Sequence, residues 1–143
     1  MIADSFNLQR FVEAQDGSID LVRAELRSGR KCGHWMWFIF PQMKGLGSSA
    51  TANYYAISCR AEAEAYLAHP VLGPRLVDCT ELVNLVESRS AVGIFGHPDW
   101  LKFRSSMTLF ASLNPGTIPF SKALDKYFAG EPDQRTLSLL ESA

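Results

Sequence analysis

Apolar positions recur at helical spacing along most of this chain. Leu8, Phe11 and Val12 follow Asn7, a good N-cap, and predict a first helix that Asp16-Gly17-Ser18 interrupts. Ser18 can cap a second helix on which Ile19, Val22 and Leu26 share a face. Arg27 puts a cation in its last turn, and Gly29 suits the position just past its end. Ser58 is placed to cap an Ala- and Glu-rich helix from Cys59 to Ala68, which His69-Pro70 ends. Leu72, Leu76, Val83 and Val86 predict another, beginning at Val71 or Pro74 and ending at Val86. Ala91 to Gly96 fits a short helix or a strand. Pro98 then occupies a natural first helical position, ahead of an apolar stripe of Trp100, Phe103, Met107 and Phe110 that runs to Leu113. Asn114-Pro115-Gly116 reads as a turn, and helices from Pro119 to Phe128 and from Pro132 to Leu140 complete the pattern.

One stretch breaks the period. Trp35 to Phe40 is a continuous run of large apolar side chains, which alternation would divide into Trp35/Trp37/Ile39 and Met36/Phe38/Phe40. Pro41 pushes Phe40 toward extended geometry. Lys31 and His34 form a polar entrance to the run, and Gly45-Leu46-Gly47-Ser48-Ser49 a Gly/Ser-rich exit. The expectation is mainly α: a single compact helical domain over residues 1–143 with one extended aromatic and Gly-rich segment.

Composition narrows the classes. At 143 residues the chain has single-domain length and needs no disulfide or metal staple. Its 14 basic and 15 acidic residues are scattered, so there is no basic block of the kind that contacts nucleic acid. Cys32, Cys59 and Cys79 are an odd, widely spaced set, which favours reduced thiols. Met1-Ile2-Ala3-Asp4-Ser5 has no basic n-region, and the longest apolar run falls far short of the ~20 residues that span a bilayer, so a cytoplasmic location without a membrane partner is expected. Nothing in the pattern fixes an oligomeric state or calls for a cofactor.

Three constellations offer chemistry. Gly45, Gly47 and Ala50 satisfy the G-x-G-x-x-A spacing of dinucleotide sites, but no strand enters the turn and no βαβ alternation surrounds it. The underlying physics still applies: glycines admit backbone N–H groups to a phosphate, and Lys44 and Ser48 add donors. The alternative is an ordinary loop that merely caps the next helix or turn. Trp35 and Trp37 fit either core or a stacking wall for a flat ligand, with His34 as a titratable neighbour. On the Pro98 helix, Asp99 lies one turn from Lys102, and Lys102 one turn from Ser105 and Ser106; the set could bind an anion or simply solvate a polar face. Glu62 and Glu64, two apart, read as solvent residues. The histidines and cysteines lack paired ligand spacing, so no metal centre is expected.

The string His34-Trp35-Met36-Trp37-Phe38-Ile39-Phe40-Pro41-Gln42-Met43-Lys44-Gly45-Leu46-Gly47-Ser48-Ser49 resembles a signature of the bacterial domain-of-unknown-function family 1810. Arg10-Phe11-Val12-Glu13-Ala14-Gln15, Tyr66 to Gly73, Ile94-Phe95-Gly96 and Ser105 to Phe110 extend the resemblance over the whole chain. It implies a mainly helical protein with no established activity. Arg10 to Gln15 and Ser106 to Phe110 are also loosely similar to the NADAR family, which implies a link to NAD, ADP-ribose and N-glycosidic bonds; the Glu-His pair of that family is absent here.

Two functions are expected on these grounds. One is a protein that binds a nucleotide-like or phosphorylated small molecule between the aromatic/Gly stretch and the Pro98 helix. Hydrolysis of an N-glycosidic bond would then use Asp99 or Glu13 as acid/base, with Trp35 or Trp37 stacking and His34, Lys44, Gly45, Gly47, Ser48, Lys102 and Ser105 around the ligand. The other is a non-catalytic helical module whose exposed aromatic patch binds a partner protein.

Overall fold

The computed structural model describes residues 4–113 and 118–142, so the turn expected at Asn114-Pro115-Gly116 lies outside the described residues. Within them the chain forms helices α1 (Gln9–Asp16), α2 (Ile19–Ser28), α3 (Met36–Ile39), α4 (Ala50–Tyr54) and α5 (Arg60–Ala68). They are followed by α6 (Leu72–Leu85), α7 (Ala91–Phe95), α8 (Asp99–Ala111), α9 (Ile118–Phe128) and α10 (Gln134–Ser142). The described residues contain no strand, only an isolated parallel bridge between Met43 and Ile57. The fold is mainly α.

Local chemistry sets most boundaries. Gly29 takes φ 76° after α2, and the N–H of Arg30 reaches back to the Glu25 carbonyl at 3.1 Å, closing the helix in a Schellman-type turn. Ser90 starts α7 by accepting the Gly93 N–H at 3.0 Å, which resolves that segment as helix. Asn7, expected as the first cap, instead has φ 53°, and the Asp4 carboxylate takes the N–H groups of Leu8 (2.6 Å) and Gln9 (2.9 Å). Those two bonds hold the Asp4 carboxyl below its ordinary value. Pro98 sits one place earlier than expected, flanking α8 instead of opening it.

Helix α8 is the axis of the molecule, packed against α5, α7, α9 and α10. It carries the anticipated stripe, but Ser105, Ser106 and Thr108 are buried as well, because α10 covers that face. Two of these hydroxyls turn onto the preceding turn, Ser105 donating to the Leu101 carbonyl at 3.1 Å and Thr108 to the Arg104 carbonyl at 2.9 Å, whereas the Ser106 hydroxyl has no partner among the described residues. Another misreading concerns Glu62. It is buried at 2% exposure and paired with Arg10 at 2.9 Å, because α5 turns Glu62, Ala63 and Tyr66 toward the interior together.

The aromatic run is helical rather than alternating. Trp35, Met36, Ile39 and Phe40 are buried, the i, i+1, i+4, i+5 pattern of a single helical turn, while Trp37 and Phe38 are half-buried. Phe40 anchors the turn, meeting Phe103 (5.1 Å) and Phe95 (5.9 Å) edge-on. Extended chain begins only beyond Pro41, where the Ile57 N–H donates to Gln42 and the Lys44 N–H to Ile57, both at 2.8 Å.

Candidate functional site

A groove of about 310 Å³ opens where the 42–47 loop meets the starts of α8 and α10. The loop contributes Gln42, Leu46 and Gly47. Pro98 and α8 contribute Leu101, Lys102, Arg104 and Ser105, and the lead-in and first turn of α10 contribute Asp133 and Arg135. Three cationic side chains thus face one carboxylate, with Leu46, Pro98 and Leu101 as an apolar wall.

Arg104, Arg135, Asp133 and Ser105 are fixed by bonds to neighbouring groups. Arg104 donates from Nε to the Glu131 carbonyl (3.0 Å) and from Nη2 to the Pro132 carbonyl (3.2 Å). Arg135 donates to the Gly45 carbonyl at 3.1 Å. Asp133 Oδ2 accepts from the Thr136 N–H and hydroxyl and lies 3.0 Å from the Ser105 hydroxyl, so Asp133 serves as the cap of α10. The two glycines make the loop possible. Gly45 has φ 105°, and a Cβ on Gly47 would sit 2.6 Å from that of Ala52 on α4.

Lys102 belongs to a longer chain of charges. Its ammonium lies 3.4 Å from Asp99 Oδ1 and 5.0 Å from the centre of the Trp37 ring. Asp99 Oδ2 pairs at 2.7 Å with Lys31, whose side chain is 7% exposed. Lys31 also donates to the Gly33 carbonyl at 2.6 Å and covers the Trp35 ring at 5.2 Å. Beside it, Glu25 Oε1 accepts the N–H groups of Cys32 (2.7 Å) and Gly33 (2.9 Å) and the Trp35 indole N–H (3.0 Å). Burial alone would raise the Glu25 carboxyl, but those three donors and Lys31 outweigh it and hold the group below its ordinary 4.5.

This depression makes stability depend on pH. A carboxyl depressed on folding stabilises the fold above its unfolded value, and that contribution is lost as pH falls through the lower folded value. Glu25→Gln should therefore unfold at lower urea than the wild type above pH 4.5, with the gap closing on further acidification. A gap unchanged between pH 7 and the acid limb would refute the assignment.

The structure thus brings together part of the expected set. Gly47, Lys102 and Ser105 line the groove, Asp99 and Trp37 flank Lys102, and Gly45 holds Arg135. Trp35, at 2% exposure, lies in the core and offers no face to a ligand. His34, Lys44, Ser48 and Glu13 are exposed and stand outside the groove lining. Sequence reasoning missed Gln42, Leu46, Arg104, Asp133 and Arg135. Only Asp133 carried a local signal, as the cap position after Pro132.

No cysteine lines the groove. Cys79 is buried, and burial, with the nearby Asp78 charge, pushes its thiol up to about 12. Among the described residues no three His, Cys, Asp or Glu side chains are grouped to hold a metal ion, and no helix is long and apolar enough to cross a membrane.

Comparison with known proteins places this architecture. No curated protein matches the chain. A crystal structure of the conserved hypothetical protein Rv1873 from Mycobacterium tuberculosis matches with a TM-score of 0.95 and 55% identity, over 96% of this chain and 99% of that one. Residues 5–140 match the family described as protein of unknown function (DUF1810), and the chain belongs to that family.

Proposed function

We propose that the groove between the 42–47 loop, α8 and α10 binds a small phosphorylated, nucleotide-like molecule. The observation that carries this reading is the convergence of Lys102, Arg104 and Arg135 on one concave surface lined by one carboxylate, Asp133, with Asp99 and Glu131 pairing with Lys102 and Arg104 from outside the lining. Guanidinium groups already bonded to main-chain carbonyls keep their charge and lose little freedom when an anion arrives.

Binding has more support here than N-glycosidic hydrolysis. Both oxygens of Asp99 are engaged by lysines, and Glu13 lies on α1 outside the groove. A partner-protein patch has less support, since Trp35, Met36, Ile39 and Phe40 of the aromatic run are buried and Trp37 and Phe38 are only half-exposed.

Thermal-shift measurements with nucleotides, NAD and ADP-ribose test the reading. A ligand at a hundred times its Kd should stabilise the fold by about 2.7 kcal/mol, or roughly 5–10 °C. Lys102→Met should fold and lose most of that shift. A flat response across the panel, or a shift that Lys102→Met leaves intact, would refute the groove as the site.

A further inference from the structure

The carboxylate is the anomaly of this groove. A site for a bare anion has no use for Asp133, whose charge opposes the ligand. Capping α10 does not require a carboxylate either, because Asn or Ser caps about as well. Oδ2 takes all the internal bonds of Asp133, and Oδ1 has no protein partner among the described residues. The Ser105 and Thr136 bonds fix the orientation of the group, so Oδ1 is a positioned acceptor on a residue that lines the groove. Across from it, the Gln42 side-chain amide likewise has no protein partner among the described residues, which leaves a donor and an acceptor in the same space.

The remaining capacity is cationic. Arg104 uses Nε and Nη2 internally and pairs with the Glu131 carboxylate at 3.6 Å, which leaves Nη1, and Arg135 uses only Nη2. Lys102 can turn two further donors away from Asp99. One end of the ligand therefore has to be a strong multi-acceptor anion, and another part has to donate hydrogen bonds to a carboxylate. Hydroxyl groups on a phosphorylated carbon skeleton satisfy both, as an acidic side chain does with ribose hydroxyls elsewhere. The volume, about 310 Å³, is at the small end for ligand sites and is enough for one sugar phosphate or mononucleotide.

On the reading of the groove as a phosphorylated-ligand site, we propose that its ligand is a phosphate monoester of a sugar, free or within a nucleoside monophosphate. Lys102, Arg104 and Arg135 meet the phosphate, and Asp133 and Gln42 meet the sugar hydroxyls.

Titration calorimetry on the full chain tests this with ribose 5-phosphate, 2-deoxyribose 5-phosphate, inorganic phosphate, AMP and NAD. Ribose 5-phosphate should bind at least tenfold tighter than inorganic phosphate and several-fold tighter than its deoxy analogue. Asp133→Asn keeps the helix cap and should reduce the first ratio to threefold or less, and Gln42→Leu should weaken ribose 5-phosphate more than inorganic phosphate. AMP binding tighter than ribose 5-phosphate assigns a nucleoside monophosphate, with the base on the Leu46/Pro98/Leu101 wall; equal or weaker binding assigns the free sugar phosphate. Equal affinity for inorganic phosphate and ribose 5-phosphate, or NAD binding tighter than AMP, would overturn the sugar monophosphate and leave an anion groove standing. No binding by any probe, or binding unchanged in Lys102→Met, would overturn both.

Discussion

Arg10→Met is expected to cost about 3–5 kcal/mol of stability, a fall in melting temperature of roughly 6–20 °C. All five guanidinium donors of Arg10 have acceptors. Nε reaches the Tyr54 carbonyl (2.8 Å), Nη1 those of Phe6 (2.6 Å) and Asn7 (2.8 Å), and Nη2 the Ala56 carbonyl (3.0 Å) and Glu62 Oε2 (2.9 Å). Side-chain exposures of 8% and 3% place both charges out of water. Methionine fills much of the space but abandons four carbonyls and an anion whose other oxygen accepts from the Ser58 N–H and hydroxyl. The pair need not be a net source of stability; breaking it is what costs. Arg10→Met combined with Glu62→Leu should therefore recover part of the loss in urea unfolding. A single variant within 1 kcal/mol of wild type would refute the argument.

Phe40→Ala should cost about as much, about 3–5 kcal/mol, by opening a cavity among Phe95, Phe103 and Trp35. Phe40 is fully buried and joins the 42–47 loop to α8, so the damage should extend to the groove. Denaturant unfolding measures the first effect. For the second, ligand affinity in the folded variant should fall more than in Phe40→Leu, which retains most of the packing. A loss below about 1 kcal/mol for Phe40→Ala would show that the ring is not the anchor.

Long amphipathic segments were legible in the sequence because they are local. Gly29 after α2 and the Asp99–Lys102 pair one turn apart depend only on neighbours, and each stands as expected. The aromatic run was not legible, since a six-residue apolar block fits alternation and a helical turn equally well. The fate of Glu62 depended on Arg10, 52 residues away, and no periodicity encodes that pairing. The candidate site divides along the same line. Lys102, Ser105 and Gly47 sit in motifs with visible spacing, whereas Arg104, Asp133 and Arg135 gain meaning only when α10 folds across α8.

The bond from Arg135 to Gly45 spans 90 positions and is part of what closes the groove. A chain emerging from the ribosome therefore has most of its helices in hand before it has any binding surface of this kind. On the proposed reading of the groove, a ligand that settled against Asp133 and Arg135 would hold α10 in place, so the docking of that helix would tighten with ligand concentration.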